Sequence, residues 1–133
     1  MIPWKPGPTG QPGITPVPVL TRNAAPGAFA ANVLGPFTAG GVFGEFVMFS
    51  FTCTSTLGND AVAELEVDDG LGGAFVAISR AKAGALVAVV VGVQLCAMVP
   101  TGYRYQVRRI VAGGSTVGVV AAGADTGYSF MRW

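Results

Sequence analysis

Residues 45–56, EFVMFSFTCTST, alternate between two kinds of side chain. From Val47 to Thr54 the odd positions hold apolar residues and the even positions hold mainly polar ones: Val47, Phe49, Phe51 and Cys53 against Met48, Ser50, Thr52 and Thr54. A period of two is typical of a β-strand with one buried face, because successive side chains of a strand point to opposite sides of its sheet. The stretch therefore predicts a strand whose odd-numbered residues enter a core.

The same pattern recurs as far as the C-terminus. It predicts six further strands, at residues 61–68, 74–79, 85–99, 103–110, 115–121 and 127–133. Turn sequences separate them, among them Asp69-Gly70 and Gly113-Gly114. No segment shows a convincing helical period. Seven short, evenly spaced strands predict an all-β protein, an antiparallel β-sandwich of the jelly-roll kind, over residues 37–133.

One strand in this series is unusually apolar. Residues 85–100 read ALVAVVVGVQLCAMVP, in which Gln94 is the one strongly polar side chain. The stretch is shorter than the roughly 20 residues that a membrane-spanning helix needs. It is rich in valine and ends at Pro100, so it predicts a strand buried on both faces, with no membrane association.

Residues 1–36 differ from the rest of the chain. Seven of the nine prolines precede residue 27. Proline disfavours helix and keeps the preceding residue extended, so the segment predicts an extended arm in front of the sandwich. Its three Gly-X-Y triplets are too few for a collagen helix. Its apolar residues favour an arm that docks on a partner over a free linker, and we expect these to be the contacts: Trp4, Ile14, Val17 and Leu20.

The composition indicates a surface that other subunits cover. Hydrophobic residues make up 51% of the chain and charged residues 11%, against roughly a quarter charged in ordinary soluble proteins. So few charges favour burial between copies of the chain, and we expect a homotrimer. The net charge of +1 gives no field that would attract nucleic acid, so none is expected as a partner.

The residues that most often carry catalysis or bind metals are few. Histidine is absent, so neither a Ser-His-Asp nor a Cys-His arrangement can form. Glu64 and Glu66 share a strand face and are better read as solvated than as an acid–base pair. We expect no enzyme, no cofactor and no metal. Cys53 and Cys96 are either two buried thiols, the favoured interpretation, or a disulfide across the sandwich.

The strand at 103–110 places its arginines opposite its tyrosines. Arg104 and Arg108 alternate with Tyr103 and Tyr105, so the tyrosines are expected in the core and those two arginines towards solvent or another subunit. Arg109 shares the tyrosine side and is expected to pair with an acid at a subunit contact. The subunit interface is predicted to include Arg104, Arg108, Arg109 and Trp133.

The order of these pieces resembles that of the small jelly-roll modules of tailed-phage virion proteins, over about residues 46–133. The resemblance lies in three stretches: Val67-Asp68-Asp69-Gly70, then Val99-Pro100-Thr101-Gly102-Tyr103-Arg104-Tyr105-Gln106-Val107, then Tyr128-Ser129-Phe130-Met131-Arg132-Trp133. It is a likeness of layout, and none of the three motifs is diagnostic alone.

This resemblance implies a virion structural protein without a cofactor. Such modules are commonly trimers that decorate capsids or form fibre tips. The arm carries no heptads and no long repeat, unlike a fibre shaft. The expectation is therefore a decoration (cement) protein on the capsid surface that binds the major capsid protein or another virion protein. The alternative is a fibre or tail-tip module that binds a host receptor or glycan.

Overall fold

A computed structural model describes residues 17–120 and 125–133 of the chain. Within them lie nine β-strands and no helix: β1 (Val19–Thr21), β2 (Val33–Thr38), β3 (Gly44–Thr54), β4 (Ala61–Asp68), β5 (Val76–Ala83), β6 (Val90–Pro100), β7 (Arg104–Ile110), β8 (Thr116–Val119) and β9 (Tyr128–Arg132). The prediction of an all-β antiparallel sandwich is confirmed.

The strands form two antiparallel sheets that pack face to face. Sheet 1 has the order β1-β9-β3-β6, and β8 pairs with β3 beyond the end of β9. Sheet 2 has the order β2-β7-β4-β5. The long strand β3 organises sheet 1, because all of its residues pair with β6 on one side. Among the described residues, the strands with an unpaired edge are consequently β6, β1 and β8 in sheet 1 and β5 and β2 in sheet 2.

The core lies between the sheets and consists of the residues that the alternation predicts. Val47, Phe49, Phe51 and Cys53 of β3 are completely buried. They face Ala63, Leu65, Tyr105 and Val107 of sheet 2. Aromatic rings fill the middle: Phe49 stacks on Tyr128 with ring centroids 4.6 Å apart, and Phe37 lies 5.3 Å from Tyr105. Such pairs add to the stability that burial provides.

The boundary between arm and sandwich at residue 36 is wrong. Strand β2 crosses it, pairs with β7 and buries Leu34 completely. Strand β1 also belongs to the sandwich, since Val19 pairs with Arg132 of β9. The physical reason is that an extended, proline-containing segment is free to pair at a sheet edge, where one side of its backbone needs no partner.

The apolar segment at 85–99 is not buried on both faces. Residues 85–89 form a connection, and β6 begins at Val90. In β6 the odd residues lie against the core while the even ones, such as Val90 and Met98, are exposed. The strand is an edge strand covered on one face by sheet 2. Strand β5, by contrast, extends to Ala83, past the predicted strand end at residue 79.

The predicted turns are confirmed where side chains stabilise them. Asp68 Oδ1 accepts a hydrogen bond from the Gly70 N–H at 2.7 Å, and Asp69 Oδ1 accepts one from the Leu71 N–H at 2.9 Å. Gly70 has a φ of 76°, which glycine adopts without the steric cost of a Cβ. This turn brings the end of β4 and the start of β5 close to the turn at residues 100–103.

Candidate functional site

A buried polar network joins the two sheets. Glu45, the second residue of β3, is completely buried and accepts a hydrogen bond from the Tyr105 hydroxyl of β7. Tyr105 also hydrogen-bonds to the Tyr128 hydroxyl. On its other side the carboxylate accepts a bond from Arg132 Nε at 2.5 Å and one from the Gly40 N–H at 3.3 Å. A buried charge that is paired and hydrogen-bonded in this way is stable.

The chemistry of this network is structural. Burial, and then the hydrogen bond to Glu45, raise the pKa of Tyr105 far above its ordinary value, and burial raises the pKa of Tyr128 to about 12. Both phenols therefore stay protonated at neutral pH and act as hydrogen-bond donors. Because Glu45 has no exposed surface and Arg132 covers it, a substrate has no path to the carboxylate. The residues tie β3, β7 and β9 together.

The outer face of sheet 2 carries a series of ion pairs within the chain. Asp68 binds Arg104 through two bonds, of 3.2 and 2.6 Å, and the Arg104 guanidinium lowers the pKa of that carboxyl. Glu66 accepts bonds from Arg108 Nε at 3.2 Å and from Gln106 at 2.8 Å. Two more pairs, Glu64–Arg80 and Asp60–Lys82, lie towards the β5 edge. The acids of β4 are thus paired, where solvation was expected.

The four predicted interface residues all make contacts within their own chain. Arg104 and Arg108 belong to the ion pairs just described. Arg109 lies over the Phe29 ring, 4.4 Å from its centroid, and donates to Asn32 Oδ1 and the Val117 carbonyl. Trp133 is half-buried, and its backbone bonds to Val42, Phe43 and Gly44. Their role at a subunit contact stays a prediction.

Two expectations about buried side chains need correction. Cys53 is in the core as predicted, but Cys96 is exposed and the two thiols are not bonded to each other. The register explains this, because Cys96 pairs with Met48 and both belong to the outer face of sheet 1. Tyr103 precedes β7 and is 37% exposed, so Tyr105 is the core tyrosine of the pair. Burial raises the pKa of the Cys53 thiol.

One exposed apolar surface of the sandwich is the side formed by β5, β6 and the connection between them. We call it the β5–β6 flank; its members are Val76, Ile78, Leu86, Val87, Val90 and Met98. Leu86 is 91% exposed. Strands β5 and β6 lie side by side here, one from each sheet, without pairing. Apolar patches of this kind mark interaction sites when they are contiguous.

A second apolar surface lies at one end of the sandwich. We call it the apolar tip: Val42, Phe43, Leu71, Tyr103 and Trp133. Hydrogen bonds fix its loops to one another, since Thr101 Oγ1 donates to the Gly41 carbonyl at 3.0 Å and the Gly102 N–H donates to the Ala39 carbonyl at 3.0 Å. Phe43 is 61% and Leu71 88% exposed. A rigid apolar surface loses little entropy when it binds a partner.

The described part of the chain also contains two open depressions. One, of about 340 Å³, lies at the end opposite the apolar tip and is bordered by Asn59, Asp60, Arg80 and Ile110, among others. The other, of about 200 Å³, lies on the outer face of sheet 1 and is mostly polar, with Arg22, Asn23, Ser50, Gln94, Asp125 and Ser129 around it.

Among residues 17–120 and 125–133, no group of three or more cysteine or acidic side chains lies close enough together to hold a metal ion. That same part of the chain has no helix long and apolar enough to span a membrane.

Of the four predicted arm contacts, two lie within the described residues and two do not. Val17 and Leu20 are exposed, Leu20 within β1 at the edge of sheet 1. Trp4 and Ile14 lie outside the described residues.

The sequence analysis did not identify Glu45 as an interior residue. The signal was its odd position in β3, which places it on the same face as Val47 and Phe49.

Comparison with known proteins finds no match: no family model, no curated protein and no solved structure is similar to the chain.

Proposed function

We propose that this protein is a virion structural protein, a capsid decoration (cement) protein that binds and stabilises neighbouring capsid subunits. The observation that carries the proposal is the pair of exposed apolar surfaces, the β5–β6 flank and the apolar tip, on a domain with 11% charged residues. Protein–protein contact is the usual reason for surfaces of this kind. The layout that the chain shares with phage jelly-roll modules supplies the virion context.

The charged residues support a structural role because they stabilise the sandwich itself. Four ion pairs lie along sheet 2, and a fifth, Glu45–Arg132, lies in the interior. A surface whose charges are neutralised in pairs imposes little electrostatic repulsion on another subunit at close range. The protein is thereby suited to dense packing on a particle.

The two apolar surfaces have different geometry and suit different partners. The apolar tip is a compact end of the domain with its loops hydrogen-bonded together, and we assign it to the major capsid protein. The β5–β6 flank runs along the side of the domain, and we assign it to other copies of this chain in a homotrimer. This arrangement would place the decoration protein on the outside of the capsid.

A fibre or tail-tip module that binds a receptor or glycan is the second candidate. The polar depression on sheet 1 favours it, because Arg22, Gln94 and Asp125 offer the mixed donors and acceptors that sugar hydroxyls bind. Sugar sites in proteins usually add an aromatic platform. The described residues around this depression include none.

Binding to particles tests the proposal. Purified protein is added to capsids that lack it, and bound protein is measured by sedimentation and electron microscopy. We expect binding by the native chain, loss of binding in Leu71→Ser and retention in the matched variant Leu57→Ser. Leu57 is also highly exposed, at 77%, but lies in the turn at the opposite end of the sandwich. Equal binding by both variants, or no binding by the native chain, would contradict the proposal.

A further inference from the structure

Within residues 17–120 and 125–133, no strand pairs with the outer edge of β6, whose backbone groups face away from the sheet. The Trp133 N–H donates to the Gly44 carbonyl, so the even residues of β3 turn their backbone towards β9. The odd residues of β3 therefore turn towards β6, as the bond from the Ser55 N–H to the Val89 carbonyl at 2.9 Å also shows. Alternate residues of a strand bond to opposite sides. On β6, the even residues consequently face away from the sheet: Val90, Gly92, Gln94, Cys96 and Met98.

This edge is long and open. All five of those residues are exposed, and no described strand pairs with β6 on the side away from β3. Gly92 carries no side chain that would block an approaching backbone. Proteins normally protect an edge of this length, because its N–H and C=O groups bind any suitable strand. The edge of β6 is therefore a binding site for an extended segment about nine residues long.

The N-terminal sequence has the pattern that such a site requires. From residue 5 to residue 15 every odd position carries an N–H, whereas the prolines of this stretch occupy even positions: Pro6, Pro8 and Pro12. An extended segment with this pattern offers a complete row of donors on one side and an interrupted row on the other. Proline is accepted in edge strands when its missing N–H faces solvent.

Side-chain polarity follows the same parity. The even positions of residues 2–16 are apolar or glycine, including Trp4 and Ile14, and the odd positions from 5 to 15 are polar or glycine. Directly paired residues place their side chains on the same face of a sheet. Pairing of the odd positions with the even residues of β6 would put the polar side chains beside Gln94 on the solvent face. It would put Trp4 and Ile14 on the core face, towards the exposed Val76 and Ile78 of β5.

We propose that residues 5–13 of one copy add as an edge strand to β6 of a second copy, with their odd-numbered residues facing β6. The prolines then leave the outer edge of the added strand incomplete, so a further strand cannot follow. The contact joins different surfaces of the two copies, a type of interface that forms a ring such as a trimer when the rotation between copies closes. The inference deepens the proposed function and rests on its claim that copies associate, but it can be tested without capsids.

The short stretch of chain between residue 13 and Val17 favours pairing with β6 of a second copy over pairing with β6 of the same chain. Val17 lies at the β1 edge, so a strand beyond β6 is four strand spacings away, about 19 Å along the sheet. Residues 13 to 17 reach about 14 Å at most when fully extended. The nine-residue pairing is therefore too far for the chain's own β6, and a neighbouring copy has no such limit.

Cysteine cross-linking tests directly whether the odd-numbered residues of the segment lie opposite β6. Cys96 lies on the β6 edge with an exposed thiol, and directly opposed residues of a strand pair are close enough for a disulfide. Single cysteines are placed at Lys5, Gly7, Thr9, Gln11 and Gly13, and at the even controls Pro8, Gly10 and Pro12. After mild oxidation, a non-reducing gel separates linked chains from single chains. Cys96→Ser in each variant is the control.

The expected result is a link between two chains at one or two adjacent odd positions and at no even position, abolished by Cys96→Ser. Links within one chain, links at both parities or no links would overturn the proposal. A second comparison uses proline alone: Gly13→Pro removes an odd N–H and should weaken self-association by about fivefold to tenfold, whereas Gly10→Pro should leave it unchanged. Equal effects of the two prolines would also overturn it. Because no capsid is present, failure here leaves the capsid-binding test unaffected.

Discussion

The Tyr105 hydroxyl of sheet 2 donates a hydrogen bond to the Glu45 carboxylate of sheet 1 across the interior of the sandwich. The bond connects the one completely buried carboxylate among the described residues to the largest completely buried side chain. It fixes the register of the sheets at the end that carries the apolar tip, since Gly40 and Arg132 bind the same carboxylate.

Removal of either partner should therefore destabilise the fold. Glu45→Ala leaves Tyr105 and Arg132 without their acceptor, and we expect a loss of about 3–5 kcal/mol in the free energy of unfolding. Tyr105→Phe keeps the ring packing and should cost less, about 1.5–3 kcal/mol. Chemical denaturation measures both. A loss below about 1 kcal/mol in Glu45→Ala would show that the network does not hold the sheets together.

Stability should fall in acid partly through Asp68. Arg104 lowers the pKa of this carboxyl below the ordinary value of 3.8, so the unfolded chain takes up the proton first as the pH falls. The pair stabilises the fold fully above that ordinary value, and its contribution disappears as the pH passes down through the native pKa. Asp68→Asn should lack this part of the acid dependence between about pH 2 and 5. Urea unfolding at each pH gives the free energy of unfolding as a function of pH, and Asp69→Asn in the same turn is the control. Identical pH curves for the native chain and Asp68→Asn would contradict the role of Asp68.

The two thiols should react differently. Cys53 is completely buried with a raised pKa, and Cys96 is exposed. Because the thiolate is the reactive form, a thiol reagent should add one group per native chain, at Cys96, and two after unfolding. Mass spectrometry of the labelled peptides identifies the site. Labelling of Cys53 in the native chain, or protection of both thiols, would contradict the register of β3 and β6.

Truncation should separate the sandwich from the segment before it. Deletion of residues 1–16 should leave the sandwich folded, with only the stabilisation from association of copies lost, because β1 to β9 all follow it. Deletion of residues 1–36 removes β1 and Leu34 and should destabilise the fold by more than the roughly 2–5 kcal/mol of a buried leucine truncation. Circular dichroism with thermal unfolding compares the two, and a stable fold after the longer deletion would restore the boundary at residue 36.

The sequence predicted the strands whose polarity alternates cleanly. Strand β4 has the predicted bounds, and its Ala63, Leu65 and Val67 face inward as expected. The orientation of β6 was not predictable from its own residues, because apolar side chains occupy even positions (Val90, Cys96, Met98) as well as odd ones (Val91, Val93, Leu95). It follows from the pairing of Cys96 with Met48, a contact between strands far apart in sequence.

The short N-terminal strands and the ion pairs could not be predicted from the local sequence pattern. Gly35 and Pro36 interrupt the alternation in β2, where the register to β7 shifts, and β1 is three residues long. Both exist because β7 and β9 offer free edges. Likewise, the acids of β4 look solvated in sequence, but Arg104 and Arg108 of the neighbouring strand cover Asp68 and Glu66.

The oligomeric state of the native chain and of the chain without residues 1–16 tests the assembly of copies most directly. Native mass spectrometry and light scattering at micromolar concentration measure it for both. We predict a homotrimer for the full chain and a folded monomer for the truncated chain, because the added strand at β6 is then missing. A full chain that stays monomeric, or a truncated chain that remains trimeric, would contradict it.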